Sequence, residues 1–263
     1  MATIKRNRTL SLLFLFFCNT IAIAQTQPDT NKSTKFSYAT PFQLLEPKYI
    51  TTGILHNRVI DYSKIQKFQG LTTDSITDYN NWYQMYWELS RADIKKSTSL
   101  PNIYEVQKNA TEKEKKGVIQ IGIINMFYNT IKPDAIDKGQ LKMENNQLKD
   151  VLPRNGTPYE TKRCFTIAPL SESILSGNNT FVFNSDFYFS NTGESIQSII
   201  VDLDDGMGKR NLMINQPFSI SCLTSGIKTI SIAMQTNNKQ TYYAKTTINK
   251  YRYKKGRLLL SGA

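Results

Sequence analysis

The sequence predicts an α+β, multidomain fold, with a small helical region near the N-terminus and an all-β region after it. Between residues 76 and 94, aromatic residues recur at the 3.6-residue spacing of an amphipathic helix. After Gly117 the pattern changes to short runs of alternating apolar and polar residues, which is typical of strands. Turn residues separate these runs at short, fairly regular intervals, a pattern that favours a β-sandwich.

The first residues have the features of a secretory signal peptide. A basic start, KRNR, precedes the apolar run LSLLFLFFC, which is too short to anchor the chain in a bilayer. Ala22 and Ala24 follow with the small-residue spacing of a cleavage site. We predict cleavage after Ala24 and a secreted or periplasmic protein. Residues 25–47 are polar and read as a disordered leader.

Charge and hydropathy restrict the partners. The formal net charge is +12, and removal of residues 1–24 takes away three basic and no acidic residues, which leaves +9. The lysines are scattered, and an exported protein rarely meets nucleic acid, so we expect no nucleic-acid partner. No later stretch approaches about 20 consecutive apolar residues, so we expect no membrane span.

An aromatic helix is predicted within a helical region at 48–116. Asp74 or Ser75 would cap it, because a short polar side chain accepts hydrogen bonds from the free N–H groups of the first turn. A stripe of mostly apolar side chains follows one side: Ile76, Tyr79, Tyr83, Tyr86, Trp87, Ser90 and Ile94. We interpret this stripe as a face packed on the core. The alternative is a glycan-stacking platform, with Trp82 and Trp87 as candidate residues.

A second helix is predicted to begin after Ser99, with Pro101 in its first turn, and to stop at Gly117. Residues 117–158 then read as a short β region. The run VIQIGIINMFYNTI predicts a strand, and GQLKMENNQLKDV predicts a hairpin with its two adjacent asparagines at the turn.

Residues 159–253 carry the remaining strand-like runs, and this length suffices for one β-sandwich with its own core. A C-terminal tail, 254–263, follows. The predicted strands are RCFTIAPL, NTFVFNSDFYFS, IQSIIVDL, RNLMINQPFSISCL, KTISIAMQT and TYYAKTTINKY.

The stretch VDLDDGMGKRNL, residues 201–212, combines acidic residues with two glycines and admits three interpretations. A calcium loop would use Asp202, Asp204 and Asp205, but the glycine comes one residue early and no closing glutamate follows. A phosphate-binding loop has a different spacing and leads into a helix. A hairpin turn with Gly206 at positive φ fits best, and calcium stays the alternative cofactor.

Few residues could support other site chemistry. His56 is the only histidine in the chain, which argues against the common zinc sites and predicts no metal centre. Cys164 and Cys222 remain after export, and they form either a disulfide or two buried thiols. Geometry decides between these two outcomes.

The β region resembles a polycystic-kidney-disease-type (PKD-like) domain. The segments SIIVDLDDGMG and FSISCLTSGIKTISIAMQT carry the resemblance, through Asp202, Asp205, Gly206, Gly226, Ile230 and Ile232. Four positions depart from the family pattern: Val201, Leu203, Asp204 and Cys222. The resemblance covers about 80 residues. It implies an immunoglobulin-like sandwich that acts as a spacer or binding module without catalysis.

The front of the chain resembles the amino-terminal region of large, uncharacterised secreted proteins of Bacteroidetes. The matching residues are Thr52, Gly53, Ile54, Leu55, Arg58, Val59, Glu88 and Leu89, whereas His56 and Asn57 depart from the pattern. This resemblance implies export and lineage. It also predicts that the chain is the N-terminal part of a larger exported protein.

These observations predict a secreted, non-catalytic binding or scaffold protein whose partner is a glycan or a protein of the cell envelope. The alternative is an accessory region of a secreted glycan-degrading enzyme. A catalytic version would need paired carboxylates about 5 to 9 Å apart. Asp78, Glu88 and Asp93 are the carboxylates of the aromatic helix, and their helical spacing makes poor pairs.

Overall fold

The computed structural model describes residues 38–72, 75–94, 100–153, 156–175, 177–222 and 226–251. The predicted signal peptide, the candidate cap Asp74 and the predicted tail lie outside the described residues. The described fold is α+β and rich in sheet, with two α-helices: α1 (Tyr79–Ala92) and α2 (Ile103–Glu114). Its strands are β1 (Ile76–Thr77), β2 (Val118–Ile131), β3 (Leu141–Glu144), β4 (Gln147–Asp150), β5 (Tyr159–Pro169), β6 (Ser173–Leu175), β7 (Gly177–Val182), β8 (Tyr188–Ser190), β9 (Ile196–Asp202), β10 (Lys209–Leu212), β11 (Pro217–Cys222), β12 (Gly226–Thr236) and β13 (Thr241–Tyr251).

Helix α1 begins at a side-chain cap one turn later than the sequence predicts. Asp78 Oδ1 accepts a hydrogen bond from the Asn81 N–H at 2.8 Å. The predicted cap at Ser75 is wrong, because its hydroxyl donates to the Lys67 carbonyl instead and the next two residues are extended as β1. A strand conformation at β1 leaves Asp78 as the first side chain able to cap the helix.

Helix α2 begins at Asn102, whose Oδ1 accepts a hydrogen bond from the Tyr104 N–H at 2.9 Å. Pro101 therefore precedes the helix rather than lying in its first turn. The helix ends before Gly117, which has φ +86° and so takes the left-handed conformation that favours glycine after a helix. Neither helix in the described ranges has both the length and the apolar character that a membrane crossing requires.

Two larger sheets and one hairpin contain the strands. The six-stranded sheet has the order β1-β13-β12-β9-β10, with β6 also paired to β13. The five-stranded sheet has the order β11-β7-β2-β5, with β8 also paired to β2. The predicted hairpin is confirmed as β3 and β4, and both turn residues, Asn145 and Asn146, have positive φ. This conformation suits the tight turn of a two-residue hairpin.

Strand β2 contributes side chains to both main hydrophobic clusters, because alternate residues of a strand face opposite sides of the sheet. Ile121 and Ile123 lie in a cluster with residues of the six-stranded sheet, such as Val201. Met126 lies in a second cluster with α1 and α2 residues, such as Trp82. The five-stranded sheet is therefore covered by the helices on one face and shares a core with the other sheet on its second face.

Strand β2 also crosses the predicted domain boundary at residue 159. It pairs with β5 antiparallel, from Ile121 opposite Pro169 to Ile131 opposite Tyr159. It pairs in parallel with β7 and β8 on its other edge. Residues on the two sides of the predicted boundary thus belong to one sheet.

The segment before α1 is held between that helix and β2. The Leu55 N–H donates to the Ala92 carbonyl, and the Asn129 N–H donates to the Ile54 carbonyl. Thr52 donates twice to Asn129 Oδ1, from its N–H and from its hydroxyl. The TTGIL part of the front motif therefore forms the connection between helix and sheet.

A third cluster joins the beginning of the described chain to the β3–β4 hairpin. Its buried members are Leu45, Ile50, Leu55, Ala135, Leu141 and Tyr159. Leu45 falls within the predicted leader, 25–47. The end of the predicted leader is therefore part of the fold, because Leu45 is buried in this hydrophobic cluster.

Candidate functional site

An aromatic groove of about 330 Å³ lies on the outer side of α1. Its lining residues are Tyr62, Asn80, Tyr83, Gln84, Trp87 and Ile103. Tyr62 is 68% exposed and Trp87 is 38% exposed, so both present ring surface to solvent. Asn80 and Gln84, which carry amide groups, line the same groove. Exposed aromatic rings beside hydrogen-bonding amides are the chemistry that a neutral, hydroxyl-rich ligand such as a glycan requires.

The two candidate stacking residues have opposite environments. Trp82 is fully buried and packs on Tyr86 and Phe189 in the core between helix and sheet. A ring without exposed surface cannot stack on a sugar, so Trp82 is a core residue. Trp87 is partly exposed and lines the groove. The prediction that Trp87 lies on the buried face of α1 is therefore wrong. The buried side chains of the helix are Trp82, Tyr83, Met85, Tyr86, Glu88, Leu89 and Ala92.

Glu88 positions the residues that form the groove. Its carboxylate is fully buried, and Oε1 accepts hydrogen bonds from the N–H groups of Tyr62 and Ser63, both at 3.0 Å. Oε1 also accepts one from Gln84 Nε2 at 2.9 Å. Because Tyr62 and Gln84 both line the groove, this one buried oxygen ties the loop wall of the groove to its helix wall.

The second oxygen of Glu88 faces two further polar side chains. Oε2 accepts a hydrogen bond from the Ser63 hydroxyl at 2.6 Å and lies 3.4 Å from Nε2 of His56. Burial acts to raise the pKa of Glu88, but the hydrogen bonds from His56, Ser63 and Gln84 outweigh it and lower the pKa. Glu88 is therefore held as a carboxylate inside the protein.

His56, Asp61 and Glu88 form the one group of potential metal ligands found in the described part of the chain. One ligand atom from each residue lies within 4.8 Å of the others. No local pattern in the sequence predicts this group, because its three members come from different segments. The 3-10 turn at His56–Arg58 supplies the imidazole, the following loop supplies Asp61, and α1 supplies Glu88.

The carboxylates that a glycan-degrading enzyme would need do not form an accessible pair. Asp78 caps α1, and Asp93 lies at its other end. Glu88 and Asp61 are close together, but both oxygens of Glu88 already accept hydrogen bonds and the side chain has no exposed surface. A general acid or base must reach its substrate, and Glu88 does not in this conformation.

The acidic stretch forms the turn of a hairpin, as predicted. Strands β9 and β10 pair antiparallel on either side of it, and Gly206 has φ +79°. Asp202 Oδ1 accepts from the Asp204 N–H, and Asp205 Oδ1 accepts from the Met207 N–H, each at 3.1 Å. The Asp205 carboxylate is also paired with Arg210. Two of the three candidate calcium ligands are therefore engaged within the turn itself.

Of the two outcomes left open for Cys164 and Cys222, the disulfide is not formed. Cys164 is a free, fully buried thiol on β5. Cys222 ends β11, and its side chain lies outside the described part of the structure. Strands β5 and β11 are separated by β2 and β7, so their backbones lie roughly 14 Å apart at about 4.8 Å per strand. A disulfide needs Cα atoms within about 7 Å.

A second, largely buried polar cluster connects the two larger sheets. The guanidinium of Arg163 on β5 forms a two-pronged ion pair with Glu194, with both N–O distances 3.0 Å. Tyr242 on β13 donates its hydroxyl to Glu194 at 3.0 Å. The guanidinium lies between the rings of Phe127 and Tyr242. Its charged groups are paired with each other, so this cluster is a structural connection and not an open binding site.

Comparison with known proteins does not assign the chain to a family. No protein-family model matches it, and no curated protein matches it.

Proposed function

We propose that this chain is a secreted, non-catalytic binding or scaffold protein of the cell envelope or exterior, and the N-terminal part of a larger exported protein. The aromatic groove at Tyr62 and Trp87 is its binding site, and a glycan is its ligand. The observation that carries this proposal is the pairing of two partly exposed aromatic rings with two amide side chains in one groove.

The composition of the groove favours a neutral glycan. Asn80 and Gln84 supply amide groups for hydrogen bonds, and none of the lining residues carries a charge. A sugar ring presents apolar C–H faces to aromatic rings and hydroxyl groups to amides. An anionic ligand would find no cationic partner among these lining residues.

The groove is also held in place before a ligand arrives. The buried Glu88 carboxylate fixes the Tyr62 backbone and the Gln84 side chain. A rigid site loses less conformational entropy on binding, and this supports affinity for a ligand that offers few strong contacts.

The proposal is tested by calorimetric titration of the chain with neutral hexasaccharides built from glucose, mannose or N-acetylglucosamine. Trp87→Ala and Tyr62→Ala should each weaken binding about fivefold, since an aromatic contact contributes about 1 kcal/mol and 1.4 kcal/mol is tenfold in Kd. Tyr104→Ala is the matched control, because Tyr104 is 74% exposed on α2 and does not line the groove. Equal affinity in Trp87→Ala and the unchanged chain would contradict the proposal.

We further propose that residues 159–253, together with β2, form a PKD-like sandwich that supports the groove. The hydrophobic cluster shared by the two larger sheets supports this. The second candidate function is an accessory region of a glycan-degrading enzyme, which would use the same groove to hold its substrate. Release of new reducing ends from a bound hexasaccharide by the chain would favour a catalytic role over simple binding.

A further inference from the structure

Three ligating side chains from separate segments meet beneath the aromatic groove. We propose that His56, Asp61 and Glu88 bind one divalent transition-metal ion, and that Zn²⁺ is the ion of best chemical match. The set comprises one imidazole nitrogen and two carboxylate oxygens, all within 4.8 Å of one another. Both donor types are normal zinc ligands. This inference does not depend on glycan binding.

The separation of two ligand atoms matches one edge of a zinc site and is long for a hydrogen bond. His56 Nε2 lies 3.4 Å from Glu88 Oε2, whereas N–H···O hydrogen bonds are usually about 2.7 to 3.2 Å long. Two atoms that each lie about 2.0 to 2.1 Å from a tetrahedral zinc ion are roughly 3.3 to 3.4 Å apart. The pair is therefore already spaced as one edge of a tetrahedral site.

The surroundings of Glu88 are those of an oriented metal ligand. Oε1 accepts three N–H hydrogen bonds, from Tyr62, Ser63 and Gln84, which leaves Oε2 directed toward His56. The Ser63 hydroxyl adds a hydrogen bond to Oε2. Such outer hydrogen bonds fix the direction of a ligating carboxylate and raise its affinity for a metal.

Charge balance also points to a cation. Asp61 and Glu88 place two carboxylates beside one imidazole. Within the described residues, His56 is the only basic side chain that forms an ion pair with Glu88. A divalent ion would offset the negative charge of these two carboxylates.

Tyr128 provides independent support, because it lies against His56. Its ring packs against the His56 ring at 5.3 Å between centroids, and its hydroxyl is buried without a hydrogen-bond partner among the described residues. Buried hydroxyl groups nearly always have a partner. Water on an open coordination position of a bound ion has the chemistry to supply one.

The experiment uses the full secreted chain without a histidine tag, titrated with Zn²⁺ by calorimetry and followed by NMR of the histidine ring. Because His56 is the only histidine, its ring signals report on this site alone. We expect one Zn²⁺ per chain and a shift of the ring signals that saturates at the same ratio. Asp61→Asn should weaken binding at least tenfold.

The variants are chosen to keep the fold. Asp61→Asn retains an oxygen that can accept the Ile65 N–H, which Asp61 Oδ1 accepts at 3.0 Å. Glu105→Gln, at an exposed acidic position on α2, is the control and should leave Zn²⁺ affinity unchanged. A folded chain that binds no stoichiometric Zn²⁺, or binds it without moving the His56 signals, would overturn the proposal. Equal affinity in Asp61→Asn, or preference for Ca²⁺, would overturn it as well.

Discussion

Trp82 and Trp87 lie on the same helix but have different consequences for stability. Trp82 is fully buried against Tyr86 and Phe189, whereas Trp87 is 38% exposed. Trp82→Ala should lower the free energy of unfolding by about 3 to 5 kcal/mol, because it leaves a cavity in the core. Trp87→Ala should lower it by less than about 1 kcal/mol. Urea denaturation of the two variants measures the difference, and equal losses would show that the assignment of the buried face is wrong.

Gly122 allows the Trp82 ring to lie directly on the five-stranded sheet. A Cβ atom at this position would be 2.5 Å from Trp82 Cζ2 and 2.8 Å from Leu170 Cδ2. Both contacts are far closer than atoms tolerate, so Gly122→Ala should destabilise the fold by about 1 to 3 kcal/mol. Urea denaturation measures this loss, and a Trp82→Phe background is the control. In a Trp82→Phe background the same change should cost less, because the ring atoms nearest to the new methyl group are absent. Strictly additive losses would contradict this explanation.

The β9–β10 hairpin is stabilised by its own turn residues. Gly206 has φ +79°, and a Cβ atom there would meet nothing within 4 Å. Gly206→Val should therefore lower the free energy of unfolding by roughly 1 to 2 kcal/mol through backbone strain alone, which thermal denaturation measures. Gly206→Asn should cost less, because asparagine tolerates the left-handed region. A Gly206→Asn loss as large as that of valine would mean that side-chain volume, not φ, is the cause.

The same hairpin should be insensitive to calcium. Asp202 and Asp205 accept hydrogen bonds within the turn, and Asp205 is paired with Arg210. An ion that binds only the folded state would raise the thermal midpoint by mass action. We expect no rise when millimolar Ca²⁺ is added to metal-free protein. A rise of several degrees that Asp202→Asn abolishes would make these carboxylates ligands.

At the scale of the whole molecule, the ion pair between Arg163 and Glu194 makes the stability depend on pH. Burial acts to raise the pKa of Glu194, but hydrogen bonds from Arg163, Asn125 and Tyr242 outweigh it and lower the pKa to about 2 from 4.5. The folded state thus binds this proton less readily than the unfolded chain does. The stabilisation is complete above pH 4.5 and is lost as the pH falls toward 2.

Glu194→Gln should remove this dependence. The unchanged chain should lose up to about 3 kcal/mol of stability between pH 5 and pH 2 through this group, and the variant should lose less over the same range. Urea denaturation at several pH values measures both slopes. Parallel slopes would show that the contacts of Glu194 do not favour its ionised form. Because Arg163 and Tyr242 belong to different sheets, the acid-sensitive contact is one that holds the sheets together.

Local patterns in the sequence were enough to predict most elements. The run at 118–131 was predicted as one strand and is β2, and the adjacent asparagines mark the β3–β4 turn. The two helices follow from periodicity and Gly117. Each of these features depends on residues within a few positions of one another, and side-chain alternation or φ preference acts at that range.

The sequence alone therefore determined the types of the elements and the turn at Gly206, because those follow from neighbouring residues. Only the tertiary structure decided which side of α1 is buried, since aromatic residues occur on several sides of that helix and the contact with Gly122 selects Trp82. It also decided that Cys164 is free, and that His56 meets Glu88 from 32 positions away in the chain. These outcomes depend on how sheets and helix pack against each other, and no local spacing in the chain encodes that packing.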